Sequence, residues 1–255
     1  MNNGFVTQEL KNNVAEITFG TPKSNSLPGE ILEKLAQTIL ESGKDENVKA
    51  ILLKSEGEKA FCAGASFDEL LEIEELEKSK IFFSGFAKVL NAMRNCGKLV
   101  VVRVQGKTTG GGVGIACAAD YCFATKDSAM ALTELNLGIG PFVIGPYVER
   151  KIGKSAYGAM SIDADFRSAN WCEKHDVYHS VSENIQEMDE KIATFMNKLS
   201  ERSADALALI KKVSWEGTEH FESLMPERIH MSASLILEKS AKKNIESIKE
   251  RLRVK

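Results

Sequence analysis

Apolar positions change their spacing along this chain, and the changes mark out its elements. Residues 5–10 and 14–19 are short runs with β-branched side chains, separated by Asn12-Asn13, a pair that tolerates positive φ. That pattern predicts a hairpin. Ser26 and Pro28 then supply a hydroxyl cap and a first-turn proline. Ile31, Leu32, Leu35, Ala36, Ile39 and Leu40 follow at helical spacing, and Gly43 reads as the stop. Residues 50–53 and 99–104 are continuous apolar runs, as in strands covered on both faces. Between them, residues 68–95 are charged and periodic and read as two helices broken near Lys78. A glycine-led helix over 110–119 and a short strand over 121–124 come next.

Strands and helices therefore alternate, which predicts crossover units and a largely parallel sheet in an α/β fold. From residue 185 onward the strand signals vanish, and three or four helices are expected up to residue 252. The lysine-, arginine- and glutamate-rich run 238–255 reads as a solvated helix face. This divides the chain into a core over 1–184 and a helical region over 185–255.

The 255 residues are 43% hydrophobic and 27% charged, as in folded globular proteins rather than disordered ones. A net charge of -3, spread along the chain, argues against a nucleic-acid face. No apolar stretch approaches the roughly 20 residues of a membrane helix, and residues 1–6 carry no signal-peptide pattern. Five cysteines without a CxxC pair speak against a disulfide framework or zinc site, and the four histidines lack metal-site spacing. The expectation is a cytoplasmic protein with reduced thiols. Cys62, Cys117 and Cys122 would be inert core thiols, and Trp171 and Trp215 packing residues.

Three segments carry candidate chemistry. In Phe61-Cys62-Ala63-Gly64-Ala65-Ser66, small residues let a ligand approach the main chain, where a free N–H can donate to a carbonyl oxygen; a plain tight turn reads equally well. In Gln105-Gly106-Lys107-Thr108-Thr109-Gly110-Gly111-Gly112-Val113-Gly114, glycines open a helix. Its unpaired N–H groups and dipole favour a negative charge. The phosphate-binding GxxxxGK[ST] and dinucleotide GxGxxG patterns both fail on spacing, so an oxyanion is the better ligand. In the segment from Leu132 to Pro141, one carboxylate, Glu134, stands in an apolar stretch that favours a raised pKa and proton transfer near neutrality, unless it is simply a surface glutamate.

In this order, "FCAGAS", "QGKTTGGGVGIACAADYCFA" and "TELNLGIGP", with the Ser24-Asn25-Ser26-Leu27 turn and a later Ser168-Ala169 and Trp171 signature, resemble the crotonase (enoyl-CoA hydratase/isomerase) superfamily over nearly the whole chain. The resemblance implies a ββα spiral core with a C-terminal helical trimerisation region, assembled as a homotrimer or a dimer-of-trimers hexamer. It implies an acyl-CoA substrate and no further cofactor or metal. The backbone N–H groups of Ala65 and Gly111 would form the oxyanion hole, and Glu134 would be the catalytic acid/base. Ala63, Ser26, Gly110, Gly114 and Pro141 would contact substrate, with specificity set by residues 69–95 and 141–148.

One departure matters. Hydratases of the family hold water between two glutamates, and the first falls at Gly114 here. "GGGVGI" with "TELNLGIGPFVIGP" is most similar to bacterial methylglutaconyl-CoA hydratases, which implies an acyl-CoA hydratase/dehydratase. A double-bond isomerase, a decarboxylase and a non-catalytic acyl-CoA binder are the alternatives. Thr109, Asn136 and Asp68 would be candidates to orient a water, and Lys239 or Lys242 to reach CoA phosphates.

Overall fold

The computed structural model describes residues 4–253. Residues 1–3 of the segment read for a signal peptide, and the last two of the charged C-terminal run, lie outside them.

The expected hairpin is present. Strands β1 (Phe5–Lys11) and β2 (Val14–Gly20) pair antiparallel, and Asn12 and Asn13 make the turn at φ 49° and 62°. Helix α1 (Gly29–Lys44) buries Ile31, Leu32, Leu35, Ala36 and Ile39, as its spacing predicts. Its ends differ from expectation. Ser26 does not cap it; Pro28 holds the cap position, and the Gly29 N–H donates to Glu69 Oε2 at 2.9 Å. Gly43 is not the stop either. The helix runs one residue further, and Gly43 is there because a Cβ would meet the Cys96 carbonyl oxygen at 2.2 Å.

From here three successive turns of the chain each deliver a strand to one sheet, then a strand to a second. β3 (Ala50–Ser55) is followed by β4 (Ala60–Cys62), then by α2 (Phe67–Leu71) and α3 (Leu76–Asn95). The break between these helices falls ahead of Lys78, in the segment after Leu71. Next come β5 (Leu99–Val104), β6 (Lys107–Thr109) and α4 (Gly111–Ala118). Then follow β7 (Tyr121–Thr125), β8 (Ala129–Ala131), the 3-10 turn Glu134–Leu137 and α5 (Gly145–Asp163). β9 (Arg167–Ser168), α6 (Ala169–Lys174) and β10 (Ser180–Ser182) close the spiral, with the Ser168 side chain capping α6 by accepting from the Trp171 N–H.

The first sheet runs β1-β2-β3-β5-β7-β10, parallel after the hairpin. The second runs β4-β6-β8-β9, with only β9 antiparallel.

The continuous apolar runs now have their reason. On the first sheet Ile51, Leu53, Val100 and Val102 face the main core, while Leu52 and Val101 face α7 (Ile185–Ser200) through Met188, Ile192 and Met196. Three further helices, α8 (Ala204–Ser214), α9 (Phe221–Leu235) and α10 (Lys239–Arg253), complete the C-terminal region. They are tied to the rest of the protein. Trp215, Phe221 and Met225 join the main core. Lys211 Nζ donates to the Met93 carbonyl and to Asp120 Oδ2, both at 2.7 Å, and the Trp215 indole donates to Asp120 Oδ1 at 2.8 Å. α10 packs Ala241 and Ile245 against Leu70, Ile73 and Ile139, so it lies over α2 and the 3-10 turn of its own chain.

Candidate active site

Two backbone turns meet at the ends of β4 and β6. After Cys62 the chain passes through Gly64, which takes a φ of +82° that an L side chain rarely adopts. A short bridge to Leu27 follows: Leu27 N–H donates to the Gly64 carbonyl at 2.8 Å, and Ser66 N–H donates to the Leu27 carbonyl at 3.1 Å. Neighbouring N–H groups alternate in direction along an extended chain, so the Ala65 N–H between them points away from Leu27. On the other side, Gly110 turns the chain into α4 at φ +53° and donates its own N–H to the Ala131 carbonyl. Gly111 is then the first helical residue, and its N–H has no acceptor within the helix. The turns are in contact, because a Cβ on Gly64 would lie 3.7 Å from the Gly111 nitrogen.

The three consecutive glycines thus have different causes. Gly110 is needed for its φ. A Cβ on Gly111 would enter the Phe86 ring at 2.3 Å, and one on Gly112 would meet the Cys62 Cβ at 2.7 Å. Together they bring a helix N-terminus against β4 more closely than side chains permit.

A cavity of about 90 Å³ opens in front of these turns. That is small beside the roughly 300–1,000 Å³ of sites that enclose a whole drug-sized ligand; it suits the reacting end of a ligand. Ala63, Ala65, Gly110, Gly111, Glu134 and Pro141, all expected at the site, line it. Phe82, Phe83 and Phe86 of α3 and residues 141–144 supply apolar walls, inside the two segments expected to set specificity.

Glu134 sits on the 3-10 turn with its carboxylate against Gly110; a Cβ there would be 3.4 Å from Oε1. Oε2 is buried and has no hydrogen-bond partner among the described residues. Desolvation is the main cause that pushes its pKa up, to about 7, partly opposed by a backbone hydrogen bond. Among the described residues lining the cavity it is the one ionisable side chain.

Other expected residues fall elsewhere. Ser26 is held in its turn, with its N–H on the Lys23 carbonyl and its own carbonyl on the Thr21 hydroxyl, and stands outside the cavity wall. Gly114 is behind the wall. A Cβ there would lie 2.7 Å from Ile144 Cγ2 and 3.2 Å from Leu90 Cδ1, so a side chain at this position would have to displace Ile144. None of the proposed water-orienting residues lines the cavity: Asp68 is paired with Lys23, Asn136 is exposed, and Thr109 belongs to β6. Lys239 and Lys242 are exposed on α10.

Two hydroxyl residues do line it, Thr133 and Ser232. Thr133 adjoins Glu134 and was within reach of the sequence. Ser232 was not. It arrives from α9, held in place where the buried Ser79 hydroxyl donates to the Ala233 carbonyl at 3.0 Å.

The five cysteines are free and buried. Burial raises all of their pKa values, Cys62 and Cys117 to about 12, which keeps these thiols protonated. No group of side chains suited to a metal ion occurs among the described residues. Nor is any described helix long and apolar enough to cross a membrane.

The chain resembles known proteins in sequence and in fold. The chain is 34% identical over 142 residues to a short-chain-enoyl-CoA hydratase of Clostridium acetobutylicum, a match covering 55% of this chain and 53% of that protein. It is 22% identical over 261 residues to a trans-2-decenoyl-[acyl-carrier-protein] isomerase of Streptococcus mutans, covering 98% of this chain and 97% of the isomerase. The alignments with the Clostridium protein and with a probable enoyl-CoA hydratase of Bacillus subtilis span only about half the length of either. The fold superposes on a crystal structure of enoyl-CoA hydratase from Bacillus halodurans with a TM-score of 0.88 at 20% identity, covering 95% of this chain and 99% of the other. The family profile for enoyl-CoA hydratase/isomerase matches residues 9–255, and the chain belongs to that family.

Proposed function

We propose that this protein moves a carbon–carbon double bond within an acyl thioester by a proton shift through Glu134. The observation that carries the reading is the solitary Glu134 carboxylate in an apolar cavity, its Oε2 without a hydrogen-bond partner among the described residues, together with the crowding of position 114 by Ile144 and Leu90. Holding an attacking water between two carboxylates needs a second acid; position 114 carries none, and Ile144 and Leu90 are packed against it. A double-bond shift needs one base that can also act as an acid, and a pKa near 7 suits both roles.

The steps balance with that one group. The ionised Glu134 takes a proton from the α-carbon of a β,γ-unsaturated acyl thioester. The C–H electron pair flows towards the thioester carbonyl and gives a dienolate. Its oxygen accepts from the N–H groups of Ala65 and Gly111, each such donor being worth roughly 3 kcal/mol to a developing oxyanion. The protonated Glu134 then delivers the proton to the γ-carbon, leaving the double bond conjugated with the carbonyl.

Hydration is the second reading. The hydroxyls of Thr133 and Ser232 on the cavity wall favour it, since they could hold a water that Glu134 activates. Methylglutaconyl-CoA as its substrate rests on the "GGGVGI" and "TELNLGIGP" resemblance. Coenzyme A or acyl-carrier thioesters are the substrate class, no further cofactor takes part, and the setting is the cytoplasm.

Matched β,γ- and α,β-unsaturated acyl-CoA esters separate the readings by absorbance of the conjugated thioester. Isomerisation faster than hydration, abolished by Glu134→Ala, supports the proposal. Glu134-dependent hydration of the conjugated ester without isomerisation would replace it with the second reading. Binding without turnover would leave a non-catalytic acyl-CoA binder.

A further inference from the structure

A second cavity, of about 540 Å³, lies on the far side of Phe142. Phe142 lines both cavities, and its ring rests on Gly140, where a Cβ would stand 2.4 Å from it. Tyr157 of α5 bridges the two spaces. It lines the second cavity, while its hydroxyl donates to the carbonyl of Pro141, a residue of the first, at 3.4 Å. Burial raises the Tyr157 pKa; among smaller influences Glu134 raises it and Arg228 lowers it, so the hydroxyl stands within electrostatic reach of both.

Arg228 of α9 is the unusual group in this second space. Its Nε is buried without a hydrogen-bond partner among the described residues, and Nη1 meets only the Met231 sulfur, at 3.7 Å. The other charges there are differently placed. Arg150 donates to the Ser214 carbonyl and lies 4.1 Å over the Trp215 ring, and Lys154, His220 and Glu216 are exposed. Glu149 is half-buried and adds one negative charge. A buried guanidinium nitrogen without an acceptor is costly, and its planar fork matches a carboxylate.

We infer that this cavity is a subsite for the far end of the acyl chain, and that Arg228 receives a terminal carboxylate there, so that the substrate is an ω-carboxyacyl thioester. The inference rests on the reading that the first cavity holds the thioester end of the acyl group. Phe142 is the wall the two cavities share, so a turn of its ring would join them and place the far end of the chain beside Tyr157 and Arg228. Nothing in the sequence singles out Arg228, because the cavity joins α5 and α9 across a long interval of chain.

The test is equilibrium binding of saturated CoA esters of increasing chain length, each ω-carboxy ester against its methyl-ended counterpart. It is run on the full chain and on Arg228→Met and Arg228→Lys, with thermal melts to verify folding. At one chain length the carboxylate ester is expected to bind roughly 10- to 100-fold more tightly, the range of a charge-assisted hydrogen bond. Arg228→Met should remove that preference, and Arg228→Lys should retain part of it. Equal or weaker binding of the carboxylate ester at every length would overturn the inference, as would a preference that survives Arg228→Met in folded protein. Saturated esters cannot isomerise, so failure of the Glu134 reaction would appear only in turnover assays and would leave this result standing.

Discussion

Replacing Glu134 by glutamine should stabilise the protein above neutral pH while destroying its chemistry. Burial lifts the carboxyl from its ordinary 4.5 to about 7. At roughly 1.4 kcal/mol per pH unit, that rise corresponds to about 3 kcal/mol. Between those two values the folded protein keeps a proton that the unfolded chain has released. The group's contribution is therefore fully present below the unfolded pKa and lost as pH rises through the folded one. Above about 7 the wild type carries the whole cost of an ionised, desolvated carboxylate, whereas the neutral amide of the Glu134→Gln variant carries no charge at any pH. The assay is denaturant unfolding of both proteins at one fixed protein concentration, since assembly shifts apparent stability. Between about pH 5 and pH 8 the variant should gain up to about 3 kcal/mol on the wild type. Over the same range kcat/KM of the wild type should rise and level off with an apparent pKa near 7, because the ionised form is the base. A stability difference that stays constant across this range would refute the buried-carboxylate argument, whatever the activities.

Further outcomes follow from packing. Gly114→Glu should cost at least the roughly 1–3 kcal/mol of an overpacked core, because its Cβ collides with Ile144, and it should create no hydratase activity; a melting curve and a hydration assay check both. Gly110→Ala should lose about 1–3 kcal/mol, because φ +53° with ψ -125° strains any residue with a side chain, and lower kcat by shifting the turn that carries the Gly111 N–H, seen in unfolding and steady-state kinetics. Lys211→Met should cost about 3 kcal/mol by leaving Asp120 buried beside an apolar side chain, and an added Asp120→Asn should recover part of the loss in the same melts. Leu209, Ile210 and Val213 are 54–61% exposed on α8 in the single chain, an apolar patch that suits the proposed homotrimer or hexamer. Sedimentation should find the assembled species, and Ile210→Glu should shift it towards monomer; a monomeric wild type would refute the assembly.

The sequence by itself determined whatever depends on near neighbours. Asn12-Asn13 specified the hairpin because only a few side chains accept positive φ. The spacing of Ile31, Leu35 and Ile39 fixed the buried face of α1, and the unbroken run at 50–53 announced a strand with two covered faces. The segments around Ala65 and Gly111, and Glu134 itself, were legible as candidates because small residues at a strand-to-helix turn and an acid in an apolar stretch are local signals; the choice of Ala65 and Gly111 within them is what the family resemblance implies. Tertiary structure decided what those residues meet. Only the approach of Ile144 and Leu90 shows that position 114 is crowded, and only α9 brings Ser232 and Arg228 within reach of Phe142 and Tyr157. The helix ends moved for the same reason. Glu69 supplies the acceptor at the start of α1, and Cys96 rather than chain termination accounts for Gly43. Desolvation of Glu134 likewise needs atoms from distant segments, since excluding water from a carboxylate takes a closed surface, which no stretch of neighbouring residues can build alone.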